Sequence, residues 1–383
     1  MIRAWRSAIG FVAILWIAQS PARCEDYVSL FNRLDTALNE GRGLSNSLNV
    51  DGSLAWGQGY LQQAYVEMYR ATRQTRYLDV LIEQFDAVLR NRDDLRAQRR
   101  ETDPPTHAPG GKPRAGWGAA RFSRGVWHVW AVHTGMICQG PADFAALVKR
   151  TPALRKRYGA VADRFIARIA ESVAAHDAEW RDGPGPGEGY YTDSIVGPLP
   201  LNQQNALGIV LVDLYRATRD PAYRARATRL ATYFRNRLRR TSDDAFDWAY
   251  NPGPDRTGTG SEDISHAAIN VEFAIRCRDA HIVFNDFDMA RFARTWSDHV
   301  RKAPGEWADT VGGTGGPNTH IPQALGRWLD LCRWDRSILA DAKLAFDGVG
   351  EDPPSCAVLL GVAELAKWQR ETTTHTRVTS REE

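Results

Sequence analysis

The sequence predicts an all-α fold in which about six helical hairpins close into a single (α/α) toroid. Three observations lead there. Apolar residues recur at helical spacing almost everywhere after Tyr27. Continuous β-branched runs with period two are absent. A helical hairpin is also repeated: Tyr69-Arg70-Ala71-Thr72-Arg73, followed after three residues by Tyr77, is matched by Tyr215-Arg216-Ala217-Thr218-Arg219 and then Tyr223. Open solenoids repeat every roughly 33–47 residues, whereas these copies lie much further apart. Divergent hairpins between two similar ones suit a closed ring better than a solenoid.

The elements follow in order. The first helix covers 26–40. Helices over 54–73 and 75–95 make the first copy of the hairpin, opened by Gly57-Gln58 with Gln62-Gln63 and closed by Asn91-Arg92. A Gly- and Pro-rich loop, 103–118, precedes helices at 124–137, 141–149 and 152–178. After a second such loop, 183–200, helices 202–219 and 221–239 make the other copy, opened by Asn202-Gln203-Gln204-Asn205 and closed by Asn236-Arg237. Loop 251–261 leads to helices 263–281 and 286–301. Loop 311–318 leads to 320–333, 336–346 and 354–371. The polar stretch Thr372 to Glu383 is expected to fray as a C-terminal tail.

The N-terminus reads as an address. Arg3 and Arg6 precede the apolar run Ala8 to Ala18, of signal-peptide length and short of the ~20 residues that span a bilayer. Ser20 and Ala22 stand at the −3 and −1 positions of a cleavage site, and cutting after Cys24 is the alternative. Residues 1–24 are therefore expected to be a signal peptide, 25–371 the toroid and 372–383 the tail, in an exported protein of the periplasm or the medium. No later stretch is long and apolar enough for a transmembrane helix, so no membrane span is expected after signal removal.

Composition excludes other classes. Of the 383 residues, 43% are hydrophobic, enough to offset the entropy of ordering the chain. The 49 basic and 46 acidic residues leave +3, which falls to +1 without residues 1–22. That balance gives no field for wrapping nucleic acid. Cys138, Cys277, Cys332 and Cys356 are widely spaced without a CxxC pair, which argues against zinc. They read as up to two disulfides or as buried thiols. No HExxH, GxSxG, Walker or GxGxxG pattern occurs. His128 and His133 would lie about 140° apart on a helix, poor geometry for a shared metal. No metal and no cofactor are expected.

In a toroid the inner helices run parallel, so their starting ends share one rim. Polar and aromatic clusters accumulate at those starts: Trp56-Gly57-Gln58-Gly59-Tyr60, Trp127-His128 with His133-Thr134, Tyr190-Tyr191 through Asn205, Trp248 through Asn270, and Asn318-Thr319-His320. Helix N-termini also offer free N–H groups and positive dipole ends, which suit an anionic ligand. Capping accounts for Ser265 or Asn202 singly. It does not account for Trp, Tyr, His and Gln gathering at the same ends. Thirteen Trp add flat faces of the kind sugar rings stack on, although most are expected in the core.

The richest segment is Trp248-Ala249-Tyr250-Asn251-Pro252, then Arg256, then Ser261-Glu262-Asp263-Ile264-Ser265-His266. It holds a candidate base (His266 or Tyr250), a candidate acid (Glu262 or Tyr250) and a carboxylate clamp in Arg256 and Asn270. Asn270 shares the His266 face of a helix beginning at 263. Further candidate substrate-binding residues are Trp56, Gln58, His133, Tyr190, Asn202, Gln203, Asn205, Trp248 and His320.

These clusters on an Ala-rich hairpin pattern resemble the (α/α) toroids of carbohydrate-active enzymes, specifically polysaccharide lyases of the alginate-lyase type, over most of residues 40–370. The resemblance implies β-elimination on an anionic, uronate-containing polysaccharide. A carboxylate is neutralised so that the C5 proton becomes removable, a Tyr or His takes it, and a Tyr protonates the leaving oxygen. It implies Tyr250 as base and acid, His266 as partner or base, and Asn202, Gln203, Arg256 and His133 around the carboxylate. The lyase pattern pairs Asn directly with His at one helix start, and Asn202-Gln203-Gln204-Asn205 lacks that His. Three other readings stay open. One is a glycoside hydrolase pairing Glu262 or Asp263 with Glu188 or Asp193, another is a uronyl C5-epimerase, and the third is a non-catalytic helical-repeat binding protein of the envelope.

Overall fold

A computed structural model describes residues 26–347, 349 and 355–379, with side chains through Glu371. The expected leader, 1–24, lies outside the described residues. Thirteen α-helices occur among them: α1 (Tyr27–Ala37), α2 (Gly59–Thr72), α3 (Arg76–Arg90), α4 (Asp93–Gln98), α5 (Ala131–Arg150), α6 (Pro152–Ala174), α7 (Leu201–Thr218), α8 (Pro221–Arg235), α9 (Ile264–Asp279), α10 (Asp286–Arg294), α11 (Ile321–Ala324), α12 (Ser337–Phe346) and α13 (Cys356–Thr379). A 3₁₀ segment, Leu325–Arg333, continues α11.

The inner ring runs α2, α5, α7, α9, α11 with its 3₁₀ extension, then α13, which packs back against α2. That last contact makes the molecule a closed toroid rather than an open solenoid. Outside it, α3 packs on α2, α6 on α5, α8 on α7, α10 on α9 and the 3₁₀ segment, and α1 and α12 on α13. Inner helices are buried nearly all round, as the 18 buried residues within the 20-residue α5 illustrate. Outer helices bury one stripe. Backbones of the inner ring approach closely where side chains are missing: a Cβ on Gly135 of α5 would meet the Ala206 backbone at 2.5 Å, and one on Gly140 the Gln62 backbone at 2.6 Å.

The repeated pentapeptide is a helix-ending device. Arg73 and Arg219 both adopt left-handed backbone (φ 63° and 64°) just past α2 and α7. Thr72 and Thr218 hydroxyls each donate to the carbonyl four residues back, at 2.7 Å. Each terminal Arg lies over the Tyr that starts the repeat, 5.9 Å and 5.6 Å from the ring centre. The other Arg of each copy, Arg70 and Arg216, enters an ionic hub at the C-terminal ends of the inner helices. Arg70 and Arg276 share Asp143 at 2.6 and 2.9 Å. Arg276 reaches Asp213 at 3.3 Å, Arg327 meets Glu272 at 2.7 Å, and Lys367 joins Asp330 at 2.8 Å and Glu67 at 3.1 Å. All six inner helices are thereby tied together.

Three details depart from expectation. Helices expected at 124–137 and 141–149 are the single helix α5, with Pro141 inside it, and residues 124–130 are extended or turn. Val126, Trp127, Val129 and Trp130 favour extended backbone, and an isolated bridge pairs Ala119 with His128. The loop 183–200 contains most of a small antiparallel sheet, β1 (Trp180–Asp182), β2 (Gly189–Asp193) and β3 (Gly197–Pro198). The expected tail boundary at 371 falls inside α13, which runs to Thr379. Cys138, Cys277, Cys332 and Cys356 are buried free thiols, so the disulfide alternative does not hold for them. Burial pushes the Cys138, Cys332 and Cys356 thiols up to about 12.

Candidate active site

A cleft of about 490 Å³ opens where four inner helices begin. Trp56 comes from a single π turn, Leu54–Gln58, that leads into α2. Trp130, Val132 and His133 come from the start of α5, Gln203 from the first turn of α7 and His266 from the first turn of α9. Intervening loops add Arg121, Phe122, Val196 and Tyr250. None of these ten lining residues carries a carboxylate.

Asp263 is the N-cap of α9. It accepts from the Ser265 and His266 backbone N–H groups, both at 3.1 Å, and its other oxygen takes the His266 Nδ1–H. Burial alone would raise this carboxyl, but the bonds from His266 and Ser265 outweigh it and hold Asp263 at about 2. This bond places the Nδ1–H on Asp263 and leaves Nε2 without a protein partner among the described residues. The Tyr250 ring lies 5.1 Å from the His266 ring. Its hydroxyl accepts from the Gln203 amide at 3.3 Å. Burial raises the Tyr250 phenol, and the acidic side chains of Glu262 and Asp263 add to the effect against the Gln203 bond, so it stays protonated.

His133 is buried, edge-on to Phe122 and Trp56 at ring distances of 5.7 and 6.1 Å. Burial, helped by His128, lowers it to about 3, so it is neutral. The Asn49 amide faces its Nδ1 at 3.4 Å, which leaves Nε2–H as the donor. Arg121 lies 5.5 Å from the Phe122 ring centre, and its charge helps to lower the Asp51 carboxyl. It is the one Lys or Arg among the ten lining residues. Just behind the wall, His128 Nε2 meets Asp193 at 2.7 Å, tying the 119–128 loop to the β2–β3 hairpin.

Of the fourteen residues expected at the site, five line the cleft: Trp56, His133, Gln203, Tyr250 and His266. Glu262 does not. It is fully buried beneath the cleft, where the Trp248 indole and the Asn270 amide (2.6 Å) both donate to it. Burial raises its carboxyl far above the usual range, against the bonds from Trp248 and Asn270. Asn205 donates to Asn270 at 2.7 Å, completing a buried polar ladder between α7 and α9. Asn202 is also buried, and its amide has no hydrogen-bond partner among the described residues. Gln58 binds the Leu44 backbone N–H at 2.7 Å. Tyr190 stacks on Tyr233 at 5.1 Å. Arg256 pairs with Glu188 at 3.3 Å, and Glu188 also faces Arg237. His320 is exposed ahead of α11. The two carboxylates considered as hydrolytic partners are each held by partners of their own, Glu188 by Arg256 and Arg237 and Asp193 by His128.

Arg121, Phe122, Trp130, Val132 and Val196 were not picked out from the sequence. Trp130 follows from its neighbours once α5 is seen to begin at Ala131. Arg121, Phe122 and Val196 sit on irregular loops, where no periodicity points to them.

No protein-family model and no curated protein matches the chain. Solved structures do. A glycoside hydrolase family 76 α-mannanase from Bacteroides thetaiotaomicron is similar at TM-score 0.57 and 13% identity, over 91% of this chain and 98% of that one. The unsaturated glucuronyl hydrolase of Bacillus sp. GL1, described as responsible for glycosaminoglycan degradation, is similar at TM-score 0.52 and 14% identity, over 90% and 96%. A polysaccharide lyase is similar at TM-score 0.53 and 10% identity, over 91% and 99%. At such identities the likeness is one of fold, and it bears out the (α/α) toroid over nearly the whole chain.

Proposed function

We propose that this chain is an exported carbohydrate-active enzyme, a polysaccharide lyase that cleaves a uronate-containing polymer by β-elimination. The observation that carries the reading is the pairing of Tyr250 with the Asp263-held His266, in a cleft with Arg121 and no lining carboxylate. Glycoside hydrolysis would ask for two carboxyl groups about 5–9.5 Å apart across the scissile bond. Asp263 is committed to His266 and Glu262 is sealed below, which weighs for elimination. The toroid itself is shared by hydrolases and a lyase and does not choose between them.

Each group has a part in the reaction. Arg121, the neutral His133 Nε2–H and the Gln203 amide draw charge from the substrate carboxylate, which makes the C5 proton acidic. His266 Nε2 removes that proton, and Asp263 stabilises the imidazolium that forms. The C5–H electron pair becomes the C4=C5 double bond as the C4–O4 bond breaks, and the Tyr250 hydroxyl protonates the departing oxygen. The proton on His266 then returns to Tyr250. Roles for Tyr250 and His266 thus divide, with His266 as base and Tyr250 as acid.

The test is a 235 nm absorbance screen of purified protein against alginate, glucuronan, hyaluronan, heparosan, polygalacturonate and a neutral glucan. The expected result is rising absorbance on a uronate polymer, reduced at least about 100-fold in Tyr250→Phe and in His266→Ala and retained in Glu262→Gln. New reducing ends without 235 nm absorbance, lost in Glu262→Gln, would overturn the assignment in favour of hydrolysis.

A further inference from the structure

Exposed apolar side chains are concentrated around this cleft. Among the described residues, eight large hydrophobic side chains are exposed, and five belong to segments that edge it, Val50, Phe122, Ile195, Val196 and Tyr250, while Val126 lines a separate pocket with Pro105 and Trp127. Ile195 and Val196 form the tip of the β2–β3 turn and are 48% and 50% exposed. Phe122 tips the facing loop, whose Ala120 and Arg121 backbone N–H groups bind the Val50 carbonyl at 3.0 and 3.3 Å. The His128–Asp193 bond holds these two loops together. Singly exposed hydrophobics need no explanation, whereas a group rimming a polar cleft marks a binding surface.

The chemistry of the collar is unlike that of a wall built for bare sugar. Hydroxylated rings gain from flat aromatic faces and from hydrogen bonds, and Trp56, Trp130, Tyr250, His266 and Gln203 supply both on the catalytic side. Val132 and Val196 offer neither. They line the same cavity and present only methyl groups, which gain free energy by taking other apolar groups out of water. An occupant that is polar on one edge and carries apolar substituents on the other would use both walls. Because Val132 and Val196 face the reacting space itself, those substituents enter with the sugar.

Resting on the lyase reading, we propose that the substrate is an O-acylated uronate polymer, and that Val196, Val132 and Phe122, extended outward by Ile195, form the pocket for its acyl groups. Acetyl is the smallest group that fits this chemistry, and burying its methyl is worth about a fourfold gain in affinity.

The probes are a chemically O-acetylated uronate polymer and the same polymer after mild alkaline deacylation, compared by 235 nm initial rates and by calorimetric binding. The acetylated form is expected to show a KM and a Kd lower by about fourfold or more. In Ile195→Ser/Val196→Ser and in Phe122→Ser, the ratio between the two forms is expected to collapse towards one. Equal binding of both forms by the wild type, tighter binding of the deacylated form, or an unchanged ratio in both variants would overturn the inference. Preferential binding of the acetylated polymer without cleavage of either would sustain it while removing the lyase reading. Cleavage of both forms at equal KM and Kd would do the reverse.

Discussion

His133 lies between the Trp56 and Phe122 rings with its charge suppressed, and this has a cost in acid. Its folded value is about 3 against 6.5 for a free imidazole, because burial disfavours the cation. Between those values the unfolded chain binds a proton that the folded chain does not, so stability present above about pH 6.5 is lost as the pH falls. From pH 7 to pH 5 this single group should remove about 2 kcal/mol. Urea denaturation at the two pH values should therefore show a wild-type loss that exceeds that of His133→Gln by about this amount. Equal losses would mean that His133 is not held neutral in the fold. The same residue scale separates Glu262 from Asp263. They are adjacent in sequence, yet one is a buried acid bonded to Trp248 whose carboxyl burial pushes up, and the other an N-cap whose carboxyl the bonds from His266 hold down.

At the scale of elements, the inner helices are joined by charge at one end and by packing along their length. Asp143 of α5 is buried, which by itself would raise its carboxyl, but Arg276 and Arg70 hold it well below the usual range. Asp143→Asn would leave those two cations facing each other with their shared anion gone. The expected loss is about 3–5 kcal/mol in chemical denaturation, and a loss under about 1 kcal/mol would show the hub to be incidental. The hub explains why the Tyr-Arg-Ala-Thr-Arg repeat could be read as a hairpin signature: its second residue joins the hub and its last ends the helix. Helix positions were legible for the same reason, since the 3.6-residue pattern follows burial in the ring. Residues 119–130 were not, because extended backbone there depends on the Ala119–His128 bridge and on Trp127 donating to Asp93 at 2.8 Å, partners that are distant in sequence.

The whole molecule is polar in its design. Inner-helix N-termini, with their positive dipole ends, converge on the cleft, while the C-terminal ends are stitched together by arginines and Lys367. The sequence places the cleft on this rim because Trp56, His133, Gln203 and His266 all fall at helix starts. It could not tell Asn202, Asn205 and Asn270, which share those starts but face inward, from Gln203 and His266, which face the cleft. A shift of one residue around a helix turns a side chain by about 100°, and only the closed ring sets that angle. The proposal that this rim performs elimination rather than hydrolysis is tested most directly by weighing the products of one defined uronate oligosaccharide. If the account holds, the masses of the two fragments add up to that of the parent, and the fragment with the new non-reducing end is unsaturated. Fragment masses that together exceed the parent by one water would contradict it and identify the cleft as a hydrolase site.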